Sequence, residues 1–359
     1  MKVYIATYHR EINFGAALQA YATQQILKGL GYENELIAFK NVLEVESKPK
    51  DIKGMINKIY NKIHSKEIAK GLERFNDFFK NYHKITKEYE NFKDLENNPP
   101  YDKNGTTYLS GSDQVFNVTT MLPEFFLQFG SENVRKISYA ASVGINKIPQ
   151  EKEKKLEEYL KAFDFISIRE EASKKLLQQY TDKDIEVNID PTYLLDKKEW
   201  EKLQNIDYIQ CMKKPYILVY ALYNPKWLGK TLKKIHKQTG YEIVLISNKG
   251  YRPMYKNVCI MDAGPLEFLS LVANAKGVIS SSFHGCVFST IYRKPFYAVI
   301  NPSSPDRINS LLEKFGLLDR ILDQNKEKFD FAIDYNFFEK QLKKEKERTY
   351  EYLKKAIGE

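Results

Sequence analysis

The stretch Gly277-Val-Ile-Ser-Ser-Ser-Phe-His284-Gly-Cys-Val-Phe-Ser-Thr-Ile-Tyr292 decides the fold of this 359-residue chain. Its apolar residues predict a buried strand from Gly277 to Ser280 and, after a turn of small residues, a helix that begins near His284. Ligands of α/β sheets bind where strands end in such turns. We therefore expect Ser281, Ser282 and His284 at a binding site, where free backbone N–H groups favour an anion. The alternative for His284 is a capping or packing role.

The same alternation of strands and helices extends in both directions from this stretch. Lys2–Thr7, a helix over 15–30 and Glu35–Phe39 form a βαβ unit, and a second series of strands begins at Tyr216. Such units imply parallel sheets with right-handed crossovers. The pattern predicts an α/β fold with two Rossmann-like domains that face each other across a cleft. No Gly-x-Gly-x-x-Gly nucleotide fingerprint follows the first strand.

The predicted domains follow from where these two series begin and end. The first domain spans 1–205 and carries a helical insertion at 44–90, and the second spans 206–335. A charged helix at 336–359 is expected to pack back on the first domain. At this length, two cores are the usual outcome, and 43% hydrophobic content supports them.

Composition limits the function classes. Lysines and arginines number 56 against 47 acidic residues, which gives a formal net charge of +9 and favours anionic substrates, an anionic membrane surface or nucleic acid. No nucleic-acid motif is present, and no Cys or His pair has metal-ligand spacing, so we predict no metal. The first residues do not resemble a signal peptide and no apolar run is long enough to span a membrane, which favours a cytoplasmic protein.

One stretch leaves two interpretations open. Ile52–Ile63 places isoleucines and a methionine on one helical face and lysines on the other. This helix either packs on the sheet with its lysines in solvent, or contacts anionic lipid headgroups. The second interpretation would make the protein peripheral on the inner face of the membrane, and the aromatic residues that follow, from Phe75 to Tyr82, share the ambiguity.

Several blocks of the sequence, taken in order, resemble the polysaccharide pyruvyl transferase family. The similarity runs from the first strand to about residue 320. The blocks are Asn13-Phe14-Gly15 with Leu18-Gln19-Ala20, Gly111-Ser112-Asp113-Gln114, Tyr139-Ala-Ala-Ser-Val-Gly144, Ser167-Ile-Arg169-Glu170, Asp190-Pro191, and Ser281-Ser282-Phe283-His284-Gly285.

The resemblance implies a glycosyltransferase-B-like fold and the transfer of pyruvate from phosphoenolpyruvate onto two hydroxyls of a sugar, forming a cyclic ketal. The implied acceptor belongs to a bacterial surface polysaccharide or its lipid-linked precursor, and no cofactor is implied. Arg169 and His284 match the residues that contact the donor in relatives, with Ser281, Ser282 and Gly285 beside them. Several relatives have arginine where this chain has Ser282, and Arg307 is the candidate for the missing cation.

The residues also suggest chemical roles. His284 can act as the acid, because an imidazole group titrates near neutral pH, while Asp113 is the candidate base for the sugar hydroxyl. Arg169 offers a planar fork for a carboxylate or phosphate. The alternatives are a turn or cap for Asp113 and a surface ion pair with Glu170 or Glu171 for Arg169.

The first strand-to-helix turn supplies a further group of candidates. Asn13, Phe14 and Gly15, together with Gln114, are assigned to sugar or phosphate binding, with helix capping as the alternative for Asn13. Asp190-Pro191 is interpreted as an interdomain turn without a catalytic role.

Two other functions fit the same two-domain cleft. One is a nucleotide-sugar-dependent glycosyltransferase, because this architecture serves both chemistries. The other is a non-catalytic glycan-assembly protein, in which substitution of His284 or Arg169 would leave function unchanged.

Overall fold

In the computed structural model, the described residues are 1–40, 61–210, 212–247, 258–304 and 306–358. The first sheet is parallel and has the spatial order β3-β2-β1-β4-β5. Its strands are β1 (Lys2–Ala6), β2 (Glu33–Phe39), β3 (Ile85–Tyr89), β4 (Thr106–Ser110) and β5 (Arg135–Ser138). The order reverses between β1 and β4, so the carboxyl ends of these two strands flank a crevice.

Two short strands extend the first sheet beyond β5. They are β6 (Ile166–Ile168) and β7 (Ile185–Val187), which pair in parallel. Isolated parallel bridges join Ile137 to Phe165 and Ala141 to Ile168. These bridges bring the end of β6 to the same sheet edge as the ends of β1 and β4.

The second sheet repeats this topology, with the order β10-β9-β8-β11-β12. Its strands are β8 (Tyr216–Tyr220), β9 (Glu242–Ile246), β10 (Val258–Ile260), β11 (Gly277–Ser280) and β12 (Phe296–Ala298). The order reverses between β8 and β11. Two parallel sheets with this topology confirm the predicted α/β fold with two Rossmann-like domains.

Helices connect the strands. They are α1 (Phe14–Gly29), α2 (Ser65–Tyr82), α3 (Phe92–Asn97), α4 (Glu153–Lys161), α5 (Glu171–Leu177), α6 (Lys197–Glu201), α7 (Ile206–Ile209), α8 (Leu228–Thr239), α9 (Pro265–Asn274), α10 (Phe283–Ile291), α11 (Asp306–Lys314) and α12 (Asn336–Ile357). The strand, turn and helix predicted around His284 are β11 and α10. None of these helices, within the described part of the chain, is long and apolar enough to cross a bilayer.

The predicted helical insertion at 44–90 is wrong at its end, where β3 adds an edge strand to the first sheet. Two of the five residues of β3, Lys87 and Glu88, are exposed, so its apolar signal is weak. Of the basic stretch Ile52–Ile63, residues 52–60 lie outside the described residues, and its contact with lipid stays a prediction. In α2, Phe75 and Phe78 are buried in the core.

An aromatic core joins the two domains. Phe14 of α1 stacks on Phe268 of α9, with ring centroids 4.9 Å apart, and Trp200 meets Phe288 of α10 at 5.0 Å. On α2, Arg74 forms an ion pair of 2.9 Å with Asp262. The two domains are therefore held together by buried apolar contacts between their helices as well as by a polar contact.

The C-terminal helix α12 packs on the first domain, as predicted. The Tyr352 hydroxyl donates to the Ser138 carbonyl at 2.6 Å, and the Arg135 guanidinium donates to the Ala356 carbonyl at 3.2 Å. The predicted boundary at residue 205 falls in the connection between β7 and β8.

Two buried histidines lie beside the carboxyl end of β1. His9 donates to the Thr7 carbonyl and His83 to the Ala17 carbonyl, and their ring centroids are 6.1 Å apart. Burial lowers the pKa of His9 to about 4. Burial and then the neighbouring His9 lower the pKa of His83 to about 3. Both rings are therefore neutral in the folded protein at neutral pH.

This pair predicts an acid-sensitive fold. Below about pH 6.5 the unfolded chain binds protons at both histidines while the folded chain does not, so the free energy of unfolding falls as the pH drops from about 6.5 toward 4. We expect a loss of several kcal/mol, measured by urea unfolding at pH 7 and pH 4.5. In His83→Gln the pH dependence should weaken clearly, and an unchanged pH dependence would contradict this assignment.

Candidate active site

Five ionisable side chains from separate elements meet where the two sheets face each other. Asp113 follows β4, Arg169 follows β6, and Asp190 follows β7 in the first domain. His284 lies in the first turn of α10 and Arg307 in α11, both in the second domain. The carboxyl ends of parallel strands share one edge, which is why residues so distant in sequence converge here.

Asp190 is the central acceptor of this group and is only 1% exposed. Its Oδ2 accepts from the Arg169 Nη1 at 2.8 Å and from the Ser112 hydroxyl at 3.2 Å. Its Oδ1 accepts from the Thr192 hydroxyl at 2.7 Å and the Thr192 backbone N–H at 3.1 Å. Burial alone would raise the pKa of Asp190, but His284, Arg169 and Thr192 together hold it well below its usual range.

Arg169 is 5% exposed and lies among carboxylates. Its Nε donates to Glu170 at 3.0 Å, and its Nη2 lies 4.0 Å from Asp113. Burial opposes the charge, yet Glu170, Asp190 and Asp113 raise the pKa of Arg169. Within the described ranges, Nη2 has no hydrogen-bond partner. The sequence also allowed a surface ion pair for Arg169. The structure confirms the pairing with Glu170, but Arg169 is buried rather than at the surface.

Arg307 brings a second guanidinium to the same place. Its Nη2 donates to Asp113 Oδ1 at 3.1 Å, and its buried Nε has no partner among the residues described. The Phe283 ring lies 3.9 Å from the Arg169 Cζ and 5.7 Å from the Arg307 Cζ. Burial, and then the charge of Arg169, lower the pKa of Arg307. Two neighbouring guanidiniums with unused N–H groups favour a bound anion.

His284 is 4% exposed and lies between the two domains. Its Nε2 is 3.4 Å from Asp190 Oδ2, without the geometry of a hydrogen bond. Its other face lies against the backbone of Gly15, where an added Cβ would be 2.1 Å from Nδ1. Gly15 therefore allows the imidazole to approach α1, and no larger residue fits there without moving the ring.

Gly15→Ala is expected to displace His284, because the new Cβ would lie 2.1 Å from the imidazole ring. We expect the variant to stay folded and to lose most of its enzymatic activity. Gly29→Ala is the matched control in the same helix, since a Cβ there meets nothing within 4 Å. That variant should keep full activity and gain up to about 1 kcal/mol of stability. Equal activity of both variants, compared at matched concentration, would contradict the placement of His284.

The other candidates in the first domain have structural contacts. Asn13 caps α1, with its Oδ1 accepting from the Gly15 N–H at 2.9 Å. Phe14 is fully buried in the aromatic core, so its assignment to ligand binding is corrected to packing between domains. The Gln114 side chain lies against Gly144, since a Cβ added to Gly144 would be 2.6 Å from the Gln114 Nε2.

The candidates in the turn after β11 shape the start of α10. The Ser281 hydroxyl accepts from the Tyr223 N–H at 2.8 Å, and the Ser282 hydroxyl caps α10 by accepting from the Gly285 N–H at 3.4 Å. A Cβ on Gly285 would be 2.1 Å from the Ser280 hydroxyl. These contacts fix the turn from which His284 projects, and the Ser282 side chain acts there as a helix cap.

Sequence reasoning missed Asp190 as a site residue and also missed the role of Gln19. The Gln19 Nε2 donates to the Thr7 hydroxyl at 2.9 Å, and its Oε1 accepts from the Ser112 N–H at 3.2 Å. A glutamine on the buried face of α1 was the available signal. For Asp190, the signal was its place at the exit of a short strand.

A small cleft opens beside this cluster and is lined by both domains. Glu170 and Arg307 form the part of its wall nearest the cluster. The remaining lining residues are Gly144, Ile145, Asn146, Ala172, Ser173, Leu176, Ser304 and Asp306. In the described ranges, no group of three or more His, Cys, Asp or Glu residues could hold a metal ion.

Comparisons with known proteins agree with this architecture. The model of the polysaccharide pyruvyl transferase family matches residues 13–304, a range that includes Asp113, Arg169, Asp190 and His284. No curated protein matches the sequence significantly.

Among solved structures, an α,α-trehalose-phosphate synthase (UDP-forming) from Burkholderia xenovorans is similar, with 9% identity over 99% of each chain and a TM-score of 0.54. A UDP-GlcNAc 2-epimerase from Neisseria meningitidis has 13% identity over 99% of this chain and 100% of its own, with a TM-score of 0.49. At such identities the likeness concerns the fold alone, and the fold is glycosyltransferase-B-like.

Proposed function

Because the chain belongs to the polysaccharide pyruvyl transferase family, we propose that it transfers the pyruvyl group of phosphoenolpyruvate onto two hydroxyls of a sugar. The product is a cyclic ketal on a bacterial surface polysaccharide or its lipid-linked precursor. The observation that carries the proposal is the pair of guanidiniums at Arg169 and Arg307, which adjoin one phenylalanine ring and keep unused N–H groups.

Phosphoenolpyruvate suits this pair because it carries two anionic groups, a phosphate and a carboxylate. A guanidinium binds either group through two parallel hydrogen bonds. Arg169 Nη2 and Arg307 Nε supply unused N–H groups for such hydrogen bonds. Asp113 lies between the two arginines. Bound phosphoenolpyruvate would also compete with Asp113 for the N–H of Arg307 Nη2, and would so free the Asp113 carboxylate to act on the sugar.

The reaction balances without any further reagent. The first hydroxyl oxygen attacks C2 of the enol while C3 gains a proton. The bond from C2 to the phosphate oxygen then breaks, phosphate leaves, and the second hydroxyl closes the ketal. The two hydroxyl protons of the acceptor account for the new methyl hydrogen and for the proton on the released phosphate.

We assign the transfer of these protons to two side chains. Asp113, at the arginine pair, would take the proton of the first hydroxyl, and His284 would deliver a proton to C3 or to the departing phosphate. Asp190 holds no proton at neutral pH, since its pKa is far below the usual range. Its proposed role is to orient Arg169 and His284 through one carboxylate oxygen.

Thermal unfolding tests the donor. A ligand that binds only the folded protein raises its melting temperature, so phosphoenolpyruvate should stabilise the protein while UDP-glucose and other nucleotide-sugars should not. Arg307→Ala should lose this stabilisation, because it removes one guanidinium and a single ion pair. Arg293→Ala is the matched control, since Arg293 pairs with Glu339 of α12 outside the site. Stabilisation by a nucleotide-sugar alone would favour a glycosyltransferase instead.

A further inference from the structure

One segment of the second domain carries positive charge and no negative charge. Residues 208–241 contain no aspartate or glutamate, and their seven lysines are Lys213, Lys214, Lys226, Lys230, Lys233, Lys234 and Lys237. The formal net charge of the whole chain is +9, so the rest of the chain is close to neutral. The excess of positive charge is therefore concentrated in this segment.

Helix α8 presents four of these lysines to solvent. Its apolar face is buried against the second sheet through Leu228, Leu232 and Ile235. The opposite face and the residue before the helix cap carry exposed lysines, spaced three or four residues apart, at Lys226, Lys230, Lys233 and Lys237. Side chains at this spacing are neighbours on a helix, so the four ammonium groups form a continuous lysine stripe.

Carboxylates of the protein neutralise other lysines but not the lysine stripe. Lys214 pairs with Glu242 at 3.1 Å and Lys234 with Glu327 at 2.6 Å, whereas no acidic side chain among the described residues pairs with the four lysines of the stripe. In α12, by contrast, glutamates are interspersed among the lysines. Like charges at this spacing repel one another on a helix, so the lysine stripe favours an anion from outside the chain.

Apolar side chains lie at the N-terminal end of the lysine stripe. Leu222 is 43% exposed, and Trp227, the residue that caps α8, is half-buried. A basic helix face combined with tryptophan and leucine is typical of surfaces that lie at a membrane interface, whereas a soluble polyanion needs only the lysines. The Tyr223 N–H donates to the Ser281 hydroxyl at 2.8 Å, so this end of the stripe adjoins the turn that precedes His284.

We propose that the lysine stripe, with Leu222 and Trp227, is the surface by which the protein binds an anionic phospholipid bilayer. The ammonium groups contact the anionic headgroups, and the two apolar side chains enter the boundary between the headgroups and the acyl chains. This orientation brings the turn between β11 and α10 close to the bilayer. The inference is independent of the proposed function, because vesicle binding requires neither phosphoenolpyruvate nor a sugar.

Sedimentation with lipid vesicles tests the surface on the full chain. Phosphatidylcholine vesicles that contain about 30% phosphatidylglycerol should bind the protein at about 0.1 M salt and should bind it less at about 0.5 M salt, because salt screens exposed charges. Vesicles of phosphatidylcholine alone should not bind it. Equal binding to both kinds of vesicle, or no binding to the anionic ones, would overturn the proposal. Binding to soluble polyglutamate without binding to anionic vesicles would also overturn it.

Two matched variants locate the contact. Each lysine near an anionic surface contributes about fivefold to binding, so replacing all four should lower the vesicle partition coefficient by at least about a hundredfold. The substitutions are Lys226→Gln, Lys230→Gln, Lys233→Gln and Lys237→Gln. The control removes four exposed lysines from α12, by Lys340→Gln, Lys343→Gln, Lys344→Gln and Lys354→Gln, and should keep most of the binding. Equal losses in the two variants would mean that net charge alone drives binding, and would overturn the surface.

Tryptophan fluorescence tests the orientation. The chain has two tryptophans, of which Trp200 is fully buried in the protein. Brominated lipids in the anionic vesicles should therefore quench Trp227 and leave Trp200 unaffected. Trp227→Phe should remove the quenching while the protein still binds the vesicles. Quenching that is unchanged in Trp227→Phe, or absent from the bound wild-type protein, would overturn the proposed contact.

Discussion

Arg169→Ala is expected to abolish stabilisation by phosphoenolpyruvate and to lower the free energy of unfolding by about 3–5 kcal/mol. The large cost arises because Glu170 and Asp190 are almost fully buried and both lose their guanidinium partner. Urea unfolding and thermal shift with phosphoenolpyruvate measure the two effects. A stability equal to that of the wild type, or a retained donor response, would contradict the role assigned to Arg169.

Arg169→Lys separates charge from geometry. Lysine keeps one positive charge but cannot reproduce the planar contacts to Glu170 and Asp190 at 3.0 and 2.8 Å. We expect this variant to recover part of the stability and little of the donor binding. Arg307→Ala provides the complementary case, because Arg307 is more exposed and has one carboxylate partner, so donor binding should fall with a smaller loss of stability.

His284→Gln is expected to lower kcat by about 10² to 10⁴, the usual contribution of a positioned acid or base. Glutamine fills much of the same space and can hydrogen-bond, but it does not exchange a proton near neutral pH. The initial rate of phosphate release from phosphoenolpyruvate, with a diol-bearing acceptor, measures the effect.

A comparison of kcat with KM decides what His284 does. If it moves a proton, kcat should fall much more than the KM for phosphoenolpyruvate rises. A rise in KM alone would mean that His284 only binds the donor. A turnover equal to that of the wild type would remove it from the mechanism.

The fold was predictable from sequence where hydrophobic periodicity is strong. Buried strands such as β11 and the helix that follows it have apolar residues at regular spacing, and the prediction for both was confirmed. The edge strand β3 was missed because part of it faces solvent and carries charged residues. An edge strand therefore has a weaker hydrophobic pattern in the sequence than a central strand has.

The site was predictable only in part. Strand exits are visible in the sequence, and for this reason the prediction included Asp113, Arg169 and His284. The structure brings these residues together with Arg307. Phe14 has the same local context, but its ring points into the interdomain core. Tertiary contacts determine whether such a residue lies in the site or in the core. They also make Asp190 the shared partner of two site residues from different domains.

The most direct test of the account is phosphorus NMR of phosphoenolpyruvate incubated with the protein and methyl β-D-glucopyranoside or another pyranoside. The account predicts that the enol phosphate signal is replaced by inorganic phosphate in equal amount to a new ketal methyl group in the proton spectrum, and that His284→Gln slows both. An unchanged phosphoenolpyruvate signal across pyranosides that bind the protein would contradict it, as would consumption of a UDP-sugar in its place.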